Sequence, residues 1–303
     1  MHPTIAKLIS TRPVITDGAW GTNNPVITDG AWGTQLQIRG MPVGSTPDAW
    51  NLLQPEKVEE VARSYVEAGS QVILTNTFGA NRFILGRHGL ADKVADINRI
   101  GVEISKKAAD GKAKVFASIG PSGVMLLMGD VSMDELQDAF AQQAQAQAAA
   151  GADGIVIETM SDLTEAKLAL AAALETGLPV VACMTFDSGA KLDRTMMGVT
   201  PEQAAEQLTS AGAEVIGANC GQGIAGYAPI CGRLQASTIR PIWIKANAGL
   251  PHMVDGKAVY TQTPEEFASF VPQLVQSGAV FIGGCCGTTP EYIRAIKDKF
   301  SGY

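Results

Sequence analysis

No apolar run in this 303-residue chain approaches the roughly 20 residues that a membrane-spanning helix requires. Residues 1–11 lack the long apolar region of a secretory signal. Basic charge is in deficit: 23 Lys and Arg face 30 Asp and Glu, for a net charge of −7. That balance gives a nucleic-acid partner little electrostatic support. The five cysteines are odd in number and have no disulfide-rich spacing. They point to a reducing cytoplasm, and to metal binding or catalysis in preference to bridges. No GxGxxG stands at the first strand–helix junction, so a dinucleotide-binding fold has little support. No linker rich in Pro, Ser or charge divides the chain, and a single domain is the simplest count. What remains, with 46% apolar residues, is the composition of a chain that folds around a sizeable core.

Near the start the decapeptide PVITDGAWGT occurs twice, at 13–22 and at 25–34, with Asn23-Asn24 between the copies. Two copies at so short a period do not make a solenoid. Each copy reads as a strand running into a glycine-rich loop. A closed sheet has room for one first strand, so one copy is surplus. The second is the expected working strand, because Gln35-Leu36-Gln37-Ile38 continues from it. The chain then divides into an N-terminal segment, 1–24, with the duplicated copy, and a barrel over 25–303.

Beyond the repeat the chain alternates. Strand-like runs fall at 71–77 (QVILTNT), 114–120 (KVFASIG), 154–159 (GIVIET), 179–186 (PVVACMTF), 214–220 (EVIGANC), 241–248 (PIWIKANA) and 280–286 (VFIGGCC). Helical stretches fall at 55–68, 91–108, 133–149, 163–176, 201–211, 225–236, 264–276 and 290–300. Gly69, Gly151, Gly212 and Gly278 recur just past helix ends, where a left-handed cap turns the chain back to the sheet. With a first strand near 25–29, eight strands alternate with eight helices. That is the count of an α/β fold of the (β/α)8 TIM-barrel type, with an open doubly wound sheet as the rival.

In such a barrel the active site lies at the C-terminal ends of the strands. The unusual residues fall there. Strand 1 ends in Asp29-Gly30-Ala31-Trp32-Gly33-Thr34, strand 4 in Glu158-Thr159, strand 6 in Asn219-Cys220-Gly221, and strand 8 in Gly283-Gly284-Cys285-Cys286. If the ends of strands 6 and 8 meet, Cys220, Cys285 and Cys286 converge. Three sulfur ligands describe a catalytic zinc site better than a structural one, which is normally closed by four protein ligands.

Four motifs in this order carry a resemblance: DGAWGT, TNTFGANR, GANCG and GGCCGTTP. Together they resemble the homocysteine S-methyltransferase family, which includes the betaine and S-methylmethionine enzymes. It also includes the homocysteine domain of cobalamin-dependent methionine synthase. The resemblance covers nearly the whole chain and implies a (β/α)8 barrel. It implies that Cys220, Cys285 and Cys286 bind Zn2+ and that the homocysteine sulfur takes the fourth position. A zinc-bound thiol loses its proton, so the substrate sulfur attacks a methyl group and methionine forms. Glu158 is expected to pair with the α-ammonium. The backbone N–H groups of Gly30, Gly33 and Thr34 are expected to receive the carboxylate, with Asp29 orienting the amino group. Asn219 either touches the substrate or supports a zinc ligand.

Plainer readings stand beside these. Cys183 and Cys231 read as buried core residues. His252 reads as a loop residue. Asp29 and Asp187 are divided between binding and loop capping. Trp32 and Phe78 either line a donor pocket or pack as core. The expected partners are homocysteine and a methyl donor, either a small sulfonium or ammonium compound or a separate corrinoid protein. In the second case the chain is the homocysteine-binding subunit of a split methionine synthase. A non-catalytic zinc-binding barrel is the rival from another class.

Overall fold

A computed structural model describes residues 1–10, 24–254 and 257–301. The first copy of the decapeptide, at 13–22, lies outside the described residues. Among those described, no helix is long and apolar enough to cross a membrane.

The Val- and Ile-rich runs form eight strands: β1 Val26–Ile27, β2 Val72–Ile73, β3 Lys114–Ile119, β4 Gly154–Met160, β5 Val180–Met184, β6 Val215–Gly223, β7 Ile242–Asn247 and β8 Ala279–Gly284. All pairings are parallel, and the order around the sheet is β1-β8-β7-β6-β5-β4-β3-β2. The ladder stops between β1 and β2, where Gln71 closes the ring. Its N–H donates to Ile27 O (2.8 Å), and its side-chain Oε1 accepts the Ile27 N–H (3.0 Å). One side chain thus stands in for a missing carbonyl, and the eight strands form a nearly closed barrel. The second decapeptide copy supplies β1, in register with Phe281 and Ile282.

Strand periodicity sorts the apolar residues into two populations. Val26, Val72, Phe116, Val156, Val181, Val215, Trp243 and Phe281 share one buried cluster inside the ring. Trp243 stacks between Phe116 and Phe281, with centroids 6.3 and 5.2 Å apart. Their alternating neighbours, among them Ile27, Ile73, Val115, Ile155, Ile216, Ile242 and Ile282, pack against the outer helices. The helix Pro3–Ser10 adds Ile5 and Leu8 to the inner cluster. It closes the end where the strands begin, and the His2 N–H donates there to Glu214 Oε2 (3.1 Å). With that end plugged and the middle filled by rings, space for a ligand is left at the C-terminal ends.

Three helices begin with reciprocal capping boxes, Ser132 with Glu135, Thr200 with Gln203 and Thr263 with Glu266. Each satisfies two N–H groups that the helix leaves free.

Several elements depart from their expected bounds. The expected strand 71–77 keeps ladder pairing only at Val72–Ile73. Beyond that, side chains replace the ladder: Ser118 N–H donates to Thr75 Oγ1 (3.0 Å), and Thr77 Oγ1 donates to Ser118 O (2.8 Å). The expected helix 264–276 is divided into Pro264–Ser269 and Val271–Gln276. Pro272 has no N–H to give to the preceding turn. His252 lies on a two-stranded hairpin, His252–Val254 against Lys257–Val259, where a plain loop was expected.

Candidate active site

The end of β8 is shaped by its two glycines. A Cβ on Gly283 would lie 2.0 Å from Thr28 Oγ1, and one on Gly284 would lie 2.2 Å from Thr288 Oγ1. Without side chains, β8 fits between β1 and the turn that follows. Cys285 is then pinned on both sides. Its N–H donates to Ala246 O on β7 (2.7 Å), and its carbonyl accepts from the Thr288 hydroxyl (2.7 Å) and N–H (3.1 Å).

Cys220 arrives from β6 with φ of 62°, a left-handed conformation unusual for a side-chain-bearing residue. The Tyr227 hydroxyl donates to its carbonyl (2.6 Å). Thr159, at the end of β4, has φ of 63°. Two residues in this strained region, on strands separated only by β5, mark the mouth as over-determined by its surroundings.

The three sulfurs of Cys220, Cys285 and Cys286 lie within 4.8 Å of one another. Cys220 Sγ and Cys286 Sγ are 4.0 Å apart. A tetrahedral ion with sulfur ligands at about 2.3 Å needs sulfurs about 3.8 Å apart, so the donor set and spacing fit zinc. Without metal the three thiols share their protons. Hydrogen bonding from Cys285 and Cys286 pulls the Cys220 thiol below the ordinary thiol range. Hydrogen bonding to Cys220 in turn raises Cys285 and Cys286 above that range. All five cysteines are free thiols, and Cys183 and Cys231 are buried in the core.

The cysteines open onto a cavity of ≈ 240 Å³, which Gly30, Gly33, Thr34 and Glu158 also line. Trp32 and Phe78 border it as well. Gly33 and Thr34 sit in the first turn of the helix Trp32–Ile38, where a loop was expected. Glu158 is 8% exposed. Its Oε1 accepts from Ser118 Oγ (2.5 Å), and its Oε2 accepts from Asn219 Nδ2 (3.3 Å). Burial pushes its carboxyl up, against the opposing pull of Lys245 and Ser118. Asn219 lies behind the wall, fully buried, with its Nδ2 3.9 Å from Cys285 Sγ.

Asp29 is absent from the cavity wall. It is fully buried, and both oxygens are engaged: Oδ1 by Lys245 Nζ (2.5 Å), Oδ2 by the Leu74 N–H (2.7 Å) and Trp32 Nε1 (2.8 Å). Asp187 is exposed at the surface and accepts from the Ser188 hydroxyl (2.9 Å).

Residues 26–300 match the model of the homocysteine S-methyltransferase family. The chain belongs to that family. Its relatives include the methionine synthases of Mycobacterium tuberculosis and Mycobacterium leprae. Each is 30% identical, over 95% and 96% of this chain but 25% and 24% of those proteins. The chain therefore spans about a quarter of their length. Two crystal structures of the homocysteine methyltransferase MmuM from Escherichia coli share its fold at 22% identity. The metallated form has a TM-score of 0.78 and covers 98% of this chain and 99% of that one. The oxidized form has a TM-score of 0.79 and covers 98% and 100%.

Three further residues shape the site. Lys245 lines the cavity and is 2% exposed. Two-residue alternation from the inward Trp243 would have placed it inside the barrel. Asp48, also on the wall, is buried at 3% and its carboxyl is pushed up to about 6 by burial. Tyr260 packs its ring over Gly287, where a Cβ would lie 2.2 Å from Tyr260 Cγ. No local motif announces either of these last two.

Proposed function

We propose that this methyltransferase carries a methyl group to the thiol of L-homocysteine, giving methionine. The observation that carries this reading is that three convergent sulfurs and the buried carboxyls of Glu158 and Asp48 open onto the same small cavity. Cys220, Cys285 and Cys286 would hold Zn2+. Bound there, zinc would act as a mild Lewis acid that keeps the acceptor sulfur deprotonated at neutral pH.

The chain's own residues supply binding and orientation. Glu158 receives the α-ammonium, held in place by Ser118 and Asn219. Backbone N–H groups among Gly30, Gly33 and Thr34 receive the carboxylate. Asp29 acts from behind, by fixing the start of that segment through Leu74 and Trp32. Asn219 supports the cysteine cluster. The ring of Tyr260 shields the Cys286–Gly287 side from water. Fixing the acceptor this way contributes the entropic part of the rate enhancement. The free thiols suit a reducing compartment such as the cytoplasm.

The test is a donor panel. Zinc-loaded protein is given L-homocysteine with S-methylmethionine, betaine or a methylated corrinoid protein, and methionine is assayed. No methionine from any donor, together with no zinc-dependent binding of homocysteine, would sink the proposal. The match to a quarter of each methionine synthase favours a second reading of the donor. In that reading the chain is the homocysteine-binding subunit of a split enzyme, and only the corrinoid protein serves.

A further inference from the structure

The charge that meets a ligand beside β1 is the reverse of the one its sequence suggests. Asp29 is fully buried and does not line the cavity, whereas Lys245 does. Lys245 lines the open space, and its Nζ donates to the Asp29 carboxylate behind it. An ammonium has three N–H donors. Among the described residues one acceptor, Asp29 Oδ1, meets them. A buried ammonium with unmet donors is costly unless a ligand or water supplies acceptors. Across the same cavity stands Glu158, an acceptor with a negative charge. A cation and an anion on one cavity complement a zwitterion, and Asp48 adds a second acid to the wall. Burial works against the Lys245 ammonium, but Asp29 and Glu158 outweigh it and keep the group charged.

We propose that Lys245 is a substrate-positioning residue that donates to the carboxylate of the amino-acid acceptor while Glu158 holds its ammonium. This rests on homocysteine being the acceptor. It adds a side-chain cation to a carboxylate site otherwise built from backbone N–H groups. The consequence is selectivity for thiols that carry a carboxylate.

Titration calorimetry on zinc-loaded protein tests it with two thiols, L-homocysteine and 3-aminopropane-1-thiol, which lacks only the carboxylate. The wild type is expected to bind homocysteine on the order of 10- to 100-fold more tightly, the range for a hydrogen bond to a charged group. K245M should lose that preference by weakening homocysteine alone, and K245R should keep part of it. K245M/D29N removes both charges together, so that no carboxylate is left unpaired if K245M folds poorly. Equal weakening of both thiols, or an unchanged preference, overturns the role of Lys245. Wild-type protein that binds both thiols equally overturns it without any variant. Wild-type protein that binds neither removes homocysteine as the acceptor and the Lys245 inference with it.

Discussion

Thr159 and Asn219 are locked to each other by two hydrogen bonds of 2.7 Å. The Thr159 N–H donates to Asn219 Oδ1, and Asn219 Nδ2 donates to Thr159 Oγ1. The pair ties the end of β4 to the end of β6, one residue after Glu158 and one before Cys220. The Glu158 carboxylate, the proposed ammonium anchor, and the first sulfur are therefore held by the same clamp.

Asn219→Ala should loosen both. Residues that orient metal ligands are worth about 10- to 100-fold in metal affinity. Chelator competition on the variant should show a zinc affinity lower by that range. An affinity within about twofold of the wild type would mean that the clamp does not bear on the cysteine cluster.

Glu158→Gln should weaken homocysteine binding about 10- to 100-fold, by removing a charged hydrogen bond in a buried setting. Binding of 4-mercaptobutanoate, which lacks the amino group, should change little. If both thiols weaken together, Glu158 is a structural residue and not the ammonium anchor.

Asp48 should make stability fall as pH rises. Its carboxyl stands at about 6 in the fold against 3.8 ordinarily, because of burial. Between those values the folded chain binds more protons than the unfolded one. The contribution is therefore fully present below the ordinary value and is lost as pH climbs through about 6. Urea unfolding of wild type and Asp48→Asn from about pH 4 to about pH 7 isolates it. Relative to the variant, the wild type should lose up to about 3 kcal/mol over that interval. A pH-independent difference between the two would count against it.

Gly283→Ala should destabilise the barrel by about 1–3 kcal/mol through overpacking. The new methyl would meet Thr28 Oγ1 at 2.0 Å and Asp29 O at 2.6 Å. Thermal melting of the variant with and without zinc measures this. A melting point equal to that of the wild type would show that β1 gives way without penalty.

The barrel was legible because its strands are short apolar runs spaced by amphipathic helices and glycine caps. The three cysteines were legible because thiols next to glycine at strand ends are rare. Lys245 was not, since one lysine in an apolar strand reads as a stem that reaches out to water. The state of Asp29 followed from Lys245, which is 216 positions away in the chain. No local pattern links residues so far apart. The ladder at 71–77 was overestimated because its threonines look like strand formers while their hydroxyls replace the ladder in the fold.

The Gln71 seam bears on how β1 is held. β1 takes its register sideways, from Phe281 and Ile282 on one flank and from Gln71 on the other. The ring therefore closes at this seam through one amide side chain and one backbone N–H, where its seven other junctions are ladders.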